Sequence, residues 1–149
     1  SHLTFNSLTQ YERYHERATY VEFLSYSYEH SDQRLAKALS CSASYSLALY
    51  SLCDIGINYE GWSFKETKDF LKNYNITGDD ICKNIYQTVI NEPANYLQYY
   101  VGYLEITALK EKVQKQLGTD FNLKDFHKSF LTIGPADFKT VEKWIYTFY

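Results

Sequence analysis

The sequence predicts an all-α fold of about seven helices in an antiparallel array, with no β-sheet. Apolar residues recur at spacings of three and four along most of the chain. No stretch alternates between apolar and polar residues for long enough to form a strand. Only 6 glycines and 2 prolines occur in 149 residues, which predicts long helices joined by short connections.

The first three predicted helices are bounded by polar caps and one glycine. We expect one helix over residues 8–29 and a second over residues 31–55, with Gly56 ending the second. The pattern Ser63-Phe64-Lys65-Glu66 is a capping box, in which the Ser and Glu side chains satisfy backbone N–H groups at a helix start. It predicts a short third helix.

The next two helices follow from a second capping pattern and a proline. Thr77-Gly78-Asp79-Asp80 opens an amphipathic helix. Its predicted inner face consists of Ile81, Cys82, Ile85, Tyr86, Val89 and Ile90. Pro93 suits the first turn of a fifth helix, where its missing N–H costs nothing, and Gly118 ends that helix after Leu117.

The last two helices meet at a glycine and a proline. Asn122 is placed to cap a sixth helix, which presents Leu123, Phe126, Phe130 and Leu131 to the interior. Gly134 and Pro135 then separate it from a final helix that carries Val141, Ile145 and Phe148.

Composition excludes some functions and leaves one question open. The formal net charge is −3 and Lys and Arg are scattered, which argues against binding to nucleic acid or an anionic membrane. The most apolar run, residues 35–57, is broken by Lys37, Asp54 and several serines, so it predicts no membrane span. The 16 tyrosines either replace other large residues in a core with wet edges or line an aromatic ligand groove.

No local pattern builds a complete metal or catalytic site. His15-Glu16 begins a helical zinc motif, but Thr19 stands where the second histidine ligand is needed. The three cysteines have no zinc-site spacing, and we interpret them as buried thiols. We therefore expect no metal ligand set and no cofactor in this chain. Asp54, at the end of an apolar helix, is either a buried hydrogen-bonding group or a simple end cap.

Four blocks occur in an order that carries a resemblance to a known family. They are residues 54–63, 92–102, 117–127 and 131–135. Together they resemble the C-terminal end of the bacterial domain-of-unknown-function family 885. Ala18-Thr19-Tyr20-Val21-Glu22, followed by Tyr26-Ser27-Tyr28, resembles an earlier block of clostridial-type members from Firmicutes.

The resemblance implies a larger, zinc-dependent parent. Full-length members are mostly helical, are several times longer, and resemble gluzincin-type zinc metallopeptidases that act on peptides. Their His-Glu-x-x-His helix lies upstream of the region matched here, and many members resemble exported or lipid-anchored proteins. On this basis the chain is expected to be the C-terminal scaffold and cleft wall of such a protein, and to be inactive on its own.

The same resemblance assigns roles to individual residues. Tyr99 matches a tyrosine that donates a hydrogen bond to the oxyanion in related helical zinc peptidases. Tyr96 and His127 are expected to contact substrate. Core packing for Tyr99 and a purely structural role for His127 remain the alternatives.

The chain also departs from the family pattern. It has His15-Glu16-Arg17 where the family has Glu-Gly-Trp, so Glu16 is out of register with the third zinc ligand by one residue. Tyr50 and Asn58 stand where the family often has Arg and His.

The predicted organisation is one helical domain over residues 1–149, representing the C-terminal part of a larger protein. Residues 1–17 match the family poorly, and Ser1-His2-Leu3 resembles the remnant of a tag. Such a region exposes the surface that packs on the missing N-terminal half, so we expect that half or a second copy of the chain as partner, most simply a two-fold dimer. A stand-alone helical interaction module that self-associates is the alternative function.

Overall fold

The computed structural model describes the backbone of residues 10–134 and 136–149, and the side chains of residues 17–28, 30–134 and 136–149. Within these residues the chain forms seven α-helices and no strand, which confirms the predicted all-α fold. The helices are α1 Gln10–Glu29, α2 Gln33–Asp54, α3 Phe64–Lys72, α4 Asp79–Asn91, α5 Asn95–Leu117, α6 Leu123–Ile133 and α7 Phe138–Ile145. No helix in this part of the chain is long and apolar enough to cross a membrane. The predicted start of the first helix at Leu8 lies outside the described residues.

The chain divides into two compact units. The first unit joins the N-terminal segment up to Val21 with Val101–Tyr149, and the second runs over Glu22–Tyr100. Helices α1 and α5 each contribute residues to both units.

The core of the second unit lies among α2, α3 and α4. Its buried residues are Leu49, Cys53, Ile57, Leu71, Cys82, Ile85 and Val89. The predicted inner face of α4 is right for Cys82, Ile85 and Val89. It is wrong for Ile81 and Ile90, whose side chains are 59% and 45% exposed. The buried stripe of α4 is narrower than the sequence pattern because α4 packs on α2 and α3 along one side.

Gly56 does not end α2, contrary to the prediction. The chain continues from Asp54 into a π-helical turn, Ile55–Tyr59, that contains Gly56. Trp62 packs directly on Gly56, and a Cβ added there would overlap the Trp62 ring. Gly56 therefore permits a close contact, and the glycine with a left-handed conformation after the π-helical turn is Gly61, where φ is +77°.

Most helix starts follow the predicted caps. Asp32 caps α2 and Asn122 caps α6 through their side-chain oxygens. At α3, Ser63 Oγ accepts from the Glu66 N–H, and the Ser63 N–H donates to Glu66 Oε2 at 2.8 Å, so the capping box is confirmed. Asp137, which the sequence pattern did not single out, caps α7.

Two predicted helix starts are wrong. The N-cap of α4 is Gly78 rather than Thr77, and it has no side chain to accept a hydrogen bond. Pro93 lies in the turn before α5 and not in its first turn. Ala94 follows with φ of +63°, outside the helical region, so α5 begins only at Asn95.

The core of the first unit combines the second part of α5 with α6 and α7. Its buried apolar residues are Tyr20, Ile106, Leu109, Val113, Phe126, Phe130, Val141 and Ile145. Gly118 and Gly134, with φ of +54° and +74°, follow the ends of α5 and α6 as predicted. Leu123 and Leu131 of α6 were also expected inside, but they are 38% and 65% exposed.

The C-terminal end of α6 is tied to α1 by Arg17. Its guanidinium donates to the Gly134 carbonyl and lies 4.4 Å from the centre of the Phe130 ring. A planar cation packed on an aromatic face and bonded to a carbonyl adds both charge and surface complementarity. Arg17 therefore stabilises the packing of the first unit.

Candidate functional site: the first turn of α5 and its contacts with α2

The first turn of α5 carries Tyr96 and Tyr99, and both side chains are half-buried. The turn is closed by the Gln98 N–H, which donates to the Ala94 carbonyl at 2.9 Å. The Asn95 side chain donates to Glu92 Oε2 at 2.9 Å. Residues three apart on a helix lie on the same side, so Tyr96 and Tyr99 share one face of α5.

Two neighbouring residues of α2 hold this turn. Ser51 Oγ lies 3.0 Å from the Tyr96 carbonyl oxygen and 2.8 Å from the Leu47 carbonyl oxygen of its own helix. The Tyr50 ring packs on the Tyr96 ring, with centroids 4.7 Å apart and planes tilted by 36°. Helix α2 and the start of α5 are therefore joined by one polar and one aromatic contact.

The phenols at this contact stay neutral. Burial raises the pKa of Tyr96, and the nearby Glu92 and Tyr50 raise it further. Burial likewise raises the pKa of Tyr50, with a smaller effect of Cys53. A neutral phenol keeps its proton and can donate a hydrogen bond, which is the property that an oxyanion-stabilising group needs.

Asp54 is a buried, hydrogen-bonded residue and not an exposed end cap. Its side chain is 3% exposed, and Asn58 Nδ2 donates to Asp54 Oδ1 at 2.8 Å. Asn58 Nδ2 also lies 3.2 Å from the Val89 carbonyl oxygen on α4. Among the described residues and atoms, no partner reaches the buried Asp54 Oδ2. The first of the two interpretations left open by the sequence is therefore correct.

His127 lies in the first unit and bonds to α1. Its Nε2 is 2.9 Å from the Tyr20 hydroxyl, and the two rings meet edge to face with centroids 5.7 Å apart. Burial lowers the pKa of His127, and the Lys110 ammonium lowers it further, so the imidazole is neutral near pH 7. These contacts give His127 a structural role in the first unit, and its expected contact with substrate stays a prediction.

An open groove of about 460 Å³ lies between α2 and α4 in the second unit. Tyr45 and Tyr50 are the aromatic members of its lining, and the remaining residues are aliphatic or polar. Two tyrosines make a mixed surface and not an aromatic box. The groove therefore gives little support to the aromatic-ligand interpretation of the tyrosine content.

Residues 18–145 match the sequence model of the family described as "Bacterial protein of unknown function (DUF885)". The chain belongs to the DUF885 family. No curated protein and no solved structure matches it.

The DUF885 resemblance blocks fall at the joints of the fold. Residues 54–63 contain Asp54, the π-helical turn and the Gly56–Trp62 contact. Residues 92–102 contain the left-handed turn at Ala94 and the tyrosine-bearing start of α5. These two blocks therefore contain the end of α2, the C-cap of α4 and the start of α5.

The described side chains of this DUF885 chain do not fit a zinc site by themselves. No three of their His, Cys, Asp and Glu residues lie close enough together to hold a metal ion. His2, His15 and Glu16 lie outside the described side chains, so the expectation of a chain without its own metal site stays a prediction.

The cysteines are not all buried, contrary to the prediction. Cys53 and Cys82 are buried, but Cys41 is exposed on α2. Burial raises the pKa of Cys53 to about 11, with further effects of Cys82 and Asp54. Cys53 is therefore a protonated core residue near neutral pH.

Sequence reasoning named Tyr96 and Asp54 but missed Ser51. Ser51 belongs to an apolar helix that contains several serines, and nothing local distinguishes it from Ser44 or Ser46. Its partner lies 45 positions along the chain, so only the folded structure reveals the bond.

Proposed function

We propose that this chain is the C-terminal helical scaffold and cleft wall of a zinc metallopeptidase-like protein. The DUF885 match over residues 18–145 and the order of its blocks support this proposal. The observation that carries it is the first turn of α5, which bears Tyr96 and Tyr99 and is anchored on α2. Zinc would come with a His-Glu-x-x-His helix of the parent protein, because the described residues do not supply a ligand set.

In this proposal Tyr99 donates a hydrogen bond to the oxyanion that forms when a peptide carbonyl is attacked. Donors aimed at developing charge stabilise the transition state more than the substrate, so they raise kcat. Tyr96 contributes a neighbouring phenol on the same face and contacts the peptide. The isolated chain is inactive because it lacks the metal that makes water nucleophilic near neutral pH.

The first test examines the parent. We expect the coding region upstream of Ser1 to encode a His-Glu-x-x-His helix in frame, and the full-length protein to hydrolyse peptides. In that protein Tyr99→Phe is expected to lower kcat by about a hundredfold with little change in KM. Tyr100→Phe is the matched control. Equal activities of the two variants would contradict the role of Tyr99.

A second test uses the chain as it stands. Zinc content after purification and dialysis, measured by plasma mass spectrometry, is expected to be far below one equivalent per chain. Stoichiometric zinc would contradict the claim that this region lacks its own metal site.

Self-association is the second candidate function, and exposed apolar side chains favour it. Ile81, Trp144 and Leu131 are 59%, 51% and 65% exposed. Apolar surface of this kind drives association when it is contiguous. We expect a two-fold dimer in multi-angle light scattering, and a strict monomer at high concentration would overturn this candidate.

A further inference from the structure

We infer that Ser51 is a positioning residue that holds the first turn of α5, which bears Tyr96 and Tyr99, in place on α2. Ser51 is 3% exposed, and its hydroxyl lies 3.0 Å from the Tyr96 carbonyl oxygen. Ser46, by comparison, donates to the Ser42 carbonyl within α2, at 3.1 Å. Ser51 thus links α2 to another helix, whereas this bond of Ser46 stays within its own helix.

The start of α5 needs such a link because its own sequence holds it weakly. Pro93 has no N–H, and Ala94 adopts a left-handed conformation that L-residues disfavour. The contact of the Ser51 hydroxyl with the Tyr96 carbonyl oxygen and the contact of the Tyr50 ring with the Tyr96 ring hold this turn against α2.

The position of Tyr99 depends on the position of Tyr96. A helix rises about 1.5 Å per residue, so Tyr99 lies about 4.5 Å further along the same rigid turn. A shift of the Tyr96 carbonyl therefore displaces the Tyr99 phenol as well. The effect of Ser51 on catalysis rests on the proposed function, but its effect on the turn does not.

The test compares Ser51→Ala with Ser46→Ala in the isolated chain. Each variant removes one hydroxyl within hydrogen-bond distance of the carbonyl four residues earlier. The single Ser51 hydroxyl proton is shared with the Tyr96 carbonyl oxygen, so only Ser51→Ala also removes a polar contact with α5. Loss of this contact is expected to speed amide hydrogen exchange at residues 98–100, whose N–H groups are the first bonded within α5, about fivefold. Exchange at Ile85 and Val89 in the core of α4 should stay unchanged.

A spectroscopic readout distinguishes positioning from a general loss of stability. Because burial raises the pKa of Tyr96, a loosened turn should lower that pKa toward the usual tyrosine value in Ser51→Ala. Selective labelling of Tyr96 with a fluorinated tyrosine reports this ionisation by NMR. Ser51→Thr keeps the hydroxyl and is expected to restore both the exchange rates and the pKa.

Two results would overturn the inference: equal exchange at residues 98–100 in Ser51→Ala and Ser46→Ala, or an unchanged Tyr96 pKa in Ser51→Ala. In the full-length parent, Ser51→Ala should lower kcat more than it raises KM. If Ser51→Ala loosens the turn but Tyr99→Phe leaves peptide hydrolysis intact, the positioning role stands and the proposed function fails.

Discussion

Asn58 Nδ2 lies 2.8 Å from Asp54 Oδ1 and 3.2 Å from the Val89 carbonyl oxygen, so one amide group joins the end of α2 to α4. Among the described residues, Asn58 is the hydrogen-bond partner of the Asp54 carboxylate. The other carboxylate oxygen, Oδ2, is buried and accepts no hydrogen bond from them. A buried carboxylate is costly unless it is hydrogen-bonded. The stability of the second unit therefore depends on a residue whose side chain is largely at the surface.

Replacing Asn58 is expected to cost more than replacing Asp54. Asn58→Ala leaves the buried carboxylate without its bond, which should lower the free energy of unfolding by about 2 to 3 kcal/mol. Asp54→Asn removes the charge and retains an oxygen that accepts from Asn58, so its loss should be smaller. Urea denaturation measures both, with the exposed Asn84→Ala as control. Equal losses for Asn58→Ala and Asp54→Asn would contradict this account.

Gly56→Ala is expected to destabilise the fold through Trp62. The added Cβ would overlap the indole ring, and overpacking of this kind typically costs about 1 to 3 kcal/mol. The near-ultraviolet circular dichroism of the tryptophans should change as the ring moves. Gly78→Ala is the control for the spectrum, because its new Cβ would meet no atom closer than Ile81 Cδ1 at 3.5 Å, although it also changes the N-cap of α4. A tryptophan spectrum that stays unchanged in Gly56→Ala would show that the Trp62 contact is not the cause.

The features predicted correctly from the sequence are those decided by neighbouring residues. Ser63 and Glu66 satisfy each other within one turn, and Asn122 caps α6 with its own side chain. Gly56 failed as a helix end because the deciding contact comes from Trp62, beyond the π-helical turn. Helix caps can be predicted well because the residues that form them are neighbours in sequence. A close contact between distant segments shows in the sequence only as a glycine, which resembles the glycine that ends a helix.

Ala94→Gly is expected to stabilise the chain slightly. Ala94 has φ of +63°, where an L-residue is strained by about 1 to 2 kcal/mol and glycine is not. Part of that gain is offset because glycine has more freedom in the unfolded state. The same substitution at Ala38, inside α2, should instead cost about 1 kcal/mol. Thermal denaturation measures whether each substitution raises or lowers the stability. A loss of stability in Ala94→Gly as large as that in Ala38→Gly would contradict the left-handed conformation of Ala94.

The three thiols are expected to react in two classes. Cys41 is exposed, whereas Cys53 and Cys82 are fully buried and the pKa of Cys53 is raised to about 11. Because only the thiolate reacts, a disulfide reagent at neutral pH should titrate one thiol quickly and the other two only on unfolding. Cys41→Ser should abolish the fast phase. A fast phase of two thiols would contradict the burial of the core cysteines.

The candidate site could be predicted only in part, for a related reason. Tyr96 stands in a recognisable block, and the folded chain adds that Tyr50 packs on its ring. Ser51 gave no signal because its partner is distant in sequence and its neighbours include other serines. Contacts between separate helices depend on how the helices pack, which apolar periodicity does not specify.

His127 is expected to make the stability of the first unit depend on pH. Its pKa is lowered from 6.5 in the folded chain, mainly by burial and then by Lys110, so the unfolded chain binds the proton more tightly. Stability should therefore be highest above about pH 6.5 and fall as the pH drops through the lowered pKa. His127→Gln keeps an acceptor for the Tyr20 hydroxyl but does not titrate, so its stability should fall less between about pH 7.5 and about pH 5.5. Urea denaturation of both proteins at the two pH values measures the difference, and parallel losses would show that His127 is not the group responsible.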